Sequence, residues 1–326
     1  MVSRAICAAS FAIACLACLP GAGMTQSGPP VETVSFGSLT MSDTQFLSGD
    51  LAGAEPVTLT GRLQLPAAET QPVPAVILLH GSDGPGSAVT WHWANVLNGI
   101  GIATLRVDSY TARGYEEIFS DQSRVGEFNN IIDTYRALDL LAADERINPD
   151  RIAVMGFSRG GIAALYSAMT RFNGLYGSQT AKLAAHLPFY SPCNFALQNE
   201  LDIRPVPIRA FHGEADVWNP LPRCRDYADR LRQAGGDVAI FTYPGAHHAF
   251  DHPGSPSYNV KETAQTSRRC FRREDDGVLV NADTGQPFSW TDDCVEKGPA
   301  VQYNPAAADA AQAEISAFLT ELFELN

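Results

Sequence analysis

Short apolar runs alternate with amphipathic stretches along most of this chain, and few folds accept that alternation. The stretch "VTLTGRLQLP" (57–66) alternates polar and apolar residues as an antiparallel strand does. "AVILLH" (75–80) and "IATLRVD" (102–108) are continuous apolar runs, expected of central strands covered on both faces. A helical stretch near 124–143 follows, then a strand at 151–157 and a helix immediately after it. Strands at 185–191, 208–213 and 238–245 come next, with a helix near 222–234 and a last amphipathic helix at 306–325. The pattern predicts a mainly parallel central sheet flanked by helices, in one α/β domain spanning 57–326. With 45% hydrophobic residues, the 326-residue chain has ample material for such a core. Residues 24–56 read as an irregular lead-in that packs on the sheet edge. No fixed-period repeat or low-complexity block is present.

The first 23 residues belong to a different class. "MVSRAICAASFAIACLACLPGAG" has one cation, Arg4, then an apolar stretch from Ala5 to Leu19, then small residues. This is the layout of a secretory signal peptide, and its apolar stretch is too short to span a membrane. Gly21 and Gly23 suit cleavage after position 23. A lipoprotein reading, with Cys18 lipidated, lacks the usual leucine three positions earlier. The expectation is therefore an exported protein, periplasmic or extracellular, with no stable membrane insertion. Export also decides how the cysteines read. Of seven, Cys7, Cys15 and Cys18 lie in the signal segment and Cys193, Cys224, Cys270 and Cys294 remain. An even number in an oxidising compartment favours disulfides, and none of the four has a zinc-like C-x-x-C spacing. The formal charge of −13 argues against nucleic acid or an anionic membrane as partner, since both demand patches of lysine and arginine.

Chemistry in an open parallel sheet gathers beyond the carboxyl ends of the strands. "AVMGFSRGGIAAL" (153–165) sets Ser158 between Gly156 and Gly160, at the corner between an apolar strand and an alanine-rich helix. G-x-S-x-G at that corner is a nucleophile elbow, with glycines where a Cβ would collide with the neighbouring element. Strand 208–213 runs into "HGEADVWNP", which offers Glu214 and Asp216. Strand 238–245 runs into "GAHHAFDHP", which offers His247, His248 and His252. The chain order of serine, acid, histidine is that of an α/β-hydrolase. A serine hydroxyl needs a base to take its proton during attack, and an imidazole oriented by a carboxylate is such a base.

Taken together, "LLHGSDG", "DSYTARG", "MGFSRGG", "HGEADVWNP" and "YPGAHHAFD" resemble the dienelactone hydrolase family within the α/β-hydrolases, over roughly residues 57–250 and the last helix. The resemblance implies Asp216 as the acid and His248, just before "AF", as the base. It also implies that the oxyanion of a tetrahedral intermediate meets the backbone N–H of Ser82, beside that of Arg159 after the nucleophile. The namesake of the family carries cysteine at the elbow. Ser158 instead points to a serine-using branch that cleaves small esters or lactones without a cofactor or metal. Dienelactone itself is the alternative substrate. An acyltransferase, a peptidase and a non-catalytic binding protein are rival readings of the same fold. His80 reads as a structural hydrogen-bonder, His247 as a spacer, His252 as a surface residue, and Glu214 as a loop cap. The Arg159 side chain reads as a surface ion pair or a substrate-carboxylate contact. Tyr110, Arg113, Trp91, Trp93 and Trp218 are weaker pocket candidates.

In that fold, strand 185–191 neighbours the strand that delivers Asp216, so Cys193 and Cys224 are expected to pair across their loops. Cys270 and Cys294 flank "GVLVNADTGQPFSW" (277–290), read as two short strands around "NADTG", and are expected to meet at its base. The insert 251–300 is longer than this loop usually is in the family, and begins just after His248. Its acidic residues Glu274, Asp275, Asp276, Asp292 and Asp293 tempt a calcium reading. Their spacing does not match an EF-hand loop, and a solvated face is expected instead.

Overall fold

The structure is a computed structural model and describes residues 1–2, 31–67 and 72–325. The expected signal segment beyond Val2, with Cys7, Cys15 and Cys18, lies outside the described residues.

An eight-stranded sheet organises the molecule. Its strands in chain order are β1 (Val31–Thr40), β2 (Glu55–Gln64), β3 (Val73–Leu79), β4 (Ala103–Asp108), β5 (Ile147–Phe157) and β6 (Ala185–Phe189), with β8 (Ile208–Gly213) and β9 (Val238–Tyr243) after a two-residue strand β7 (Phe195–Ala196) that lies outside the sheet. The spatial order is β1-β2-β4-β3-β5-β6-β8-β9. β1, β2 and β4 pair antiparallel, and every pairing from β4 to β9 is parallel. Among the described residues seven α-helices accompany it: α1 (Asp43–Ser48), α2 (Ala88–Gly99), α3 (Asn129–Ala142), α4 (Arg159–Tyr166), α5 (Thr170–Tyr176), α6 (Leu221–Gln233) and α7 (Pro305–Leu322). Among the described residues no helix is long and apolar enough to cross a membrane.

β3 explains why a continuous apolar run was needed. Every residue of it is buried, and its side chains feed two cores in alternation. Val76 and Leu78 pack with Trp93 and Leu97 of α2 and with Ile315 and Leu319 of α7. Ile77 and Leu79 pack on the opposite face with Ile131 and Leu138 of α3 and Ile162 of α4. Each such side chain contributes about 1.5–3 kcal/mol through burial. α7 starts where Asn304 caps the N–H of Ala307 and Pro305 occupies the first turn, where a missing N–H costs nothing.

From Val31 on, the lead-in is not irregular. β1 pairs residue for residue with β2 from Val31–Gln64 to Thr40–Glu55, and Ser42 opens α1 with a capping box to Gln45. "VETVSFGSLT" alternates exposed and buried positions, as an edge strand with one dry face must. The placement on the edge is as expected.

Both disulfides form in the expected pairs, Cys193–Cys224 and Cys270–Cys294, with Cα atoms 5.0 and 5.1 Å apart. The insert holds β10 (Asn259–Val260), β11 (Gln265–Thr266), β12 (Arg272–Asp275), β13 (Val278–Asn281), β14 (Glu296–Lys297) and β15 (Ala300–Val301). Its hairpin sits one element earlier than the sequence suggested. β12 pairs with β13 around Asp276 and Gly277, both at positive φ (49° and 78°), and across "NADTG" only the Val280–Pro287 bridge remains. An Asp-Gly pair favours the tight two-residue turn. Glu274 is also not on a solvated face: it is buried, bound by Arg171 and by the N–H of Gln198.

Candidate active site

From β3 the chain turns to β4 on one side, and β5 then returns to the other side of β3. A crevice opens at the carboxyl ends of strands where the order reverses in this way. Ser158 stands there, directly after β5, at φ 52° and ψ −112°. A non-glycine residue in that region is strained, and its surroundings must hold it. The elbow glycines supply the room. A Cβ on Gly156 would lie 2.1 Å from the carbonyl oxygen of Gly160, and one on Gly160 would lie 2.4 Å from that of Leu79. The N–H of Ser158 donates to Phe189 O at 3.0 Å and ties the elbow to β6.

The three separate strand ends converge. Ser158 Oγ is 3.0 Å from His248 Nε2, and His248 Nδ1 is 2.8 Å from Asp216 Oδ2. Asp216 accepts only, so Nδ1 carries the proton and Nε2 is left to accept from the serine. The other carboxylate oxygen of Asp216 receives the backbone N–H groups of Trp218 and Asn219, each at 2.8 Å. Burial opposes ionisation of Asp216, but His248, His212 and these N–H donors outweigh it and hold the carboxyl below its usual range. His212 lies 3.5 Å from Asp216 Oδ2, while its Nε2–H donates to Asn219 O at 2.6 Å; burial keeps its imidazole basicity low. The His248 ring is held between Tyr190, 4.7 Å away edge-on, and Trp218, 4.9 Å away.

Ser82, in the loop after β3, lines the same cleft as Ser158 and His248. Its side chain donates to Gln122 at 2.9 Å, and its carbonyl receives Ile118 and Phe119, while its own N–H has no acceptor among the described residues. The N–H of Arg159 opens α4, a position with no partner inside the helix. The cleft encloses about 100 Å³ and is walled by Phe119, Phe157, Tyr190 and Trp218. His252, Ser255 and Lys261 of the insert complete the wall, so the insert borders the cleft and His252 is not a plain surface residue. Among the described residues no cluster of three or more His, Cys, Asp or Glu side chains is arranged to hold a metal ion.

The weaker candidates separate cleanly. His80 is structural as expected: Nδ1–H meets Gly81 O at 2.8 Å, Nε2 accepts from Ser109 N at 3.2 Å, and burial keeps the ring neutral. Glu214 accepts from Thr242 on the neighbouring β9 and takes no part in the cleft. His247 meets Tyr258 edge-on, 5.0 Å away. The Arg159 side chain is not a surface ion pair: it is buried, donates to Gln122 and Val125 O, and lines a small recess beside Ser158 and Trp218. Tyr110 is buried against His80, and Arg113 is locked to Asp133, so neither lines the pocket. Trp91 is exposed under Arg106, Trp93 is buried, and only Trp218 of the three tryptophans reaches the cleft. Tyr190, Asn219, His212 and Asp251 were not visible as site residues. Tyr190 and Asp251 meet through contacts between distant segments, whereas Asn219 and His212 lie three and four residues from Asp216, and Asp251 lies three from His248.

Comparison with known proteins bears on the same region. The model of the dienelactone hydrolase family matches residues 60–272. Acyl-protein thioesterase 1 of Gibberella zeae is 33% identical over 113 residues, which is 32% of this chain and 44% of that protein. A putative carboxymethylenebutenolidase of Yersinia pestis is 32% identical over 120 residues, 35% of this chain and 42% of that protein. The chain thus spans less than half the length of these curated relatives. A solved dienelactone hydrolase-like promiscuous phosphotriesterase from metagenomic libraries superimposes with a TM-score of 0.53 at 16% identity, covering 89% of this chain and 99% of that one. At that identity the likeness speaks to the fold.

Proposed function

The chain belongs to the dienelactone hydrolase family, and from that premise we propose that it hydrolyses small carboxylic esters or lactones through an acyl-enzyme on Ser158. One observation carries the reading: the continuous chain of contacts Ser158–His248–Asp216, at 3.0 and 2.8 Å, facing an apolar cleft. Ser158 Oγ attacks the ester carbonyl carbon while His248 Nε2 takes its proton. Asp216 holds the tautomer and stabilises the imidazolium. The carbonyl oxygen becomes an oxyanion facing the N–H groups of Ser82 and Arg159, each such donor being worth about 3–4 kcal/mol of barrier. The tetrahedral adduct collapses, the C–O bond to the alcohol breaks, and the alcohol leaves with the proton from His248. Water then attacks the acyl-serine by the same route, releasing the acid and restoring Ser158. A lactone gives one open hydroxy acid in place of two products.

The small cleft supports a short acyl group, and the serine at the elbow supports an ester substrate ahead of dienelactone itself. The signal-like N-terminus and the two disulfides support an exported protein. Ser158→Ala is the test: hydrolysis of short p-nitrophenyl esters should disappear while circular dichroism stays unchanged. Substantial residual turnover by the folded variant contradicts the assignment.

A further inference from the structure

Asp251 lies three residues beyond His248, is 1% exposed, and has no lysine or arginine paired with it among the described residues. Its carboxyl instead collects two neutral donors from distant segments. Trp93 Nε1–H of α2 reaches Oδ2 at 2.7 Å, and Tyr190 Oη–H, just after β6, reaches Oδ1 at 2.8 Å. A buried carboxyl held only by neutral donors is costly to ionise, and burial pushes this one above the usual carboxylate range. The proposed reaction uses none of the three groups.

Their arrangement forms a closed ring with the catalytic candidates. His248 Nδ1–H meets Asp216, and Asp216 receives the N–H of Asn219. The Asn219 side chain donates to Tyr190 O at 2.8 Å, and the Tyr190 hydroxyl donates to Asp251. The chain itself closes the ring from Asp251 back to His248. Two links of the ring sit in left-handed backbone, Tyr190 at φ 35° and Ala249 at φ 56°, conformations that persist only where the surroundings impose them. The turn 248–252 also gives the carbonyls of His248 and Phe250 to Gln302 and Asn304, and Phe250 packs on Tyr190 and Tyr243, so Asp251 adds the side-chain hydrogen bonds that join this turn to Trp93 and Tyr190. The tyrosine ring that Asp251 fixes is the same ring that rests on His248.

We infer that Asp251 is a positioning residue: by clamping Tyr190 and Trp93 it fixes the strained turn that presents the His248 imidazole to Ser158. The inference rests on the reading of His248 as the base. Misplacing a reacting group by about 1 Å can cost roughly 100-fold in rate. The expectation is therefore a loss in kcat with little change in KM, since neither oxygen of Asp251 lines the cleft.

The experiment measures kcat and KM on a short p-nitrophenyl ester, with the melting midpoint of each variant. Asp251→Ala and Tyr190→Phe should lower kcat by about 10- to 100-fold with KM within about twofold. Asp251→Asn should restore kcat to within about threefold of wild type, because its amide oxygen accepts from Trp93 and its amide nitrogen donates to the Tyr190 oxygen. A folded Asp251→Ala with wild-type kcat overturns the inference, as does an unaffected Tyr190→Phe. So does an Asp251→Asn as impaired as the alanine variant, since geometry alone is then not what Asp251 supplies. Should Asp251→Ala fail to fold, the other two variants decide. Ser158→Ala is assayed alongside. If it still turns over, the triad reading itself falls; if it is dead while the Asp251 and Tyr190 variants match wild type, only the positioning role falls.

Discussion

Ser158 occupies a backbone region that side chains avoid, and the cost is met by two glycines that let a helix and two strands close around it. That requirement was readable, because G-x-S-x-G states it in five letters. The choice of His248 over His247 was not readable from spacing and came through resemblance. The structure separates the two: His248 touches Ser158 and Asp216, whereas His247 faces Tyr258. His248→Ala should therefore lower kcat by about 10²–10⁴-fold, the range of a lost general base, and His247→Ala by far less. Steady-state kinetics on the two variants checks this, and the reverse order would shift the assignment by one residue. Tyr190 and Asp251 escaped the sequence because the hydrogen bonds that join Asp251 to Tyr190 and Trp93 span 61 and 158 positions and leave no periodicity to read, whereas Asn219 sits three residues from Asp216.

The elements of the parallel half were legible for a physical reason. A strand covered on both faces must be apolar throughout, and such runs announce themselves, as β3 does. β1 was missed because Glu32 and Ser38 share its inward positions with Val34 and Phe36, so its apolar residues do not recur at every second place, and α2 because its sequence is not strongly one-sided. β6 hides a titratable group that the fold must pay to bury. His186 there has Nδ1 2.9 Å from Ala164 O and a second ring nitrogen buried without a partner; burial lowers its pKa from 6.5 to about 4. Between those two values the unfolded chain binds a proton that the folded one refuses. Stability should accordingly fall by up to roughly 3 kcal/mol as pH drops from about 6.5 to about 4, with no contribution from this group to the slope above that window. Urea unfolding of His186→Leu at several pH values should show that slope removed. A slope unchanged from wild type places the sensitivity elsewhere.

At the scale of the whole molecule, the cysteine pairs were legible once the strand order was assumed, because β6 and β8 are neighbours and their loops leave at the same end. The insert was legible only in outline. Its hairpin turns on Asp276–Gly277, and its role in walling the cleft depends on His252, Ser255 and Lys261 folding back over His248, which no local pattern encodes. The molecule as a whole is thus a mainly parallel sheet that brings three loops to one crevice, with a disulfide-closed insert beside it. On the proposed function, this convergence makes a single serine nucleophilic. The most direct measurement treats the full chain with a fluorophosphonate, weighs the intact protein, and locates the adduct by peptide mass. One adduct per chain is expected, on Ser158, absent from Ser158→Ala and formed far more slowly in His248→Ala. No adduct on the folded wild-type protein, or equal labelling of Ser158→Ala, would contradict it.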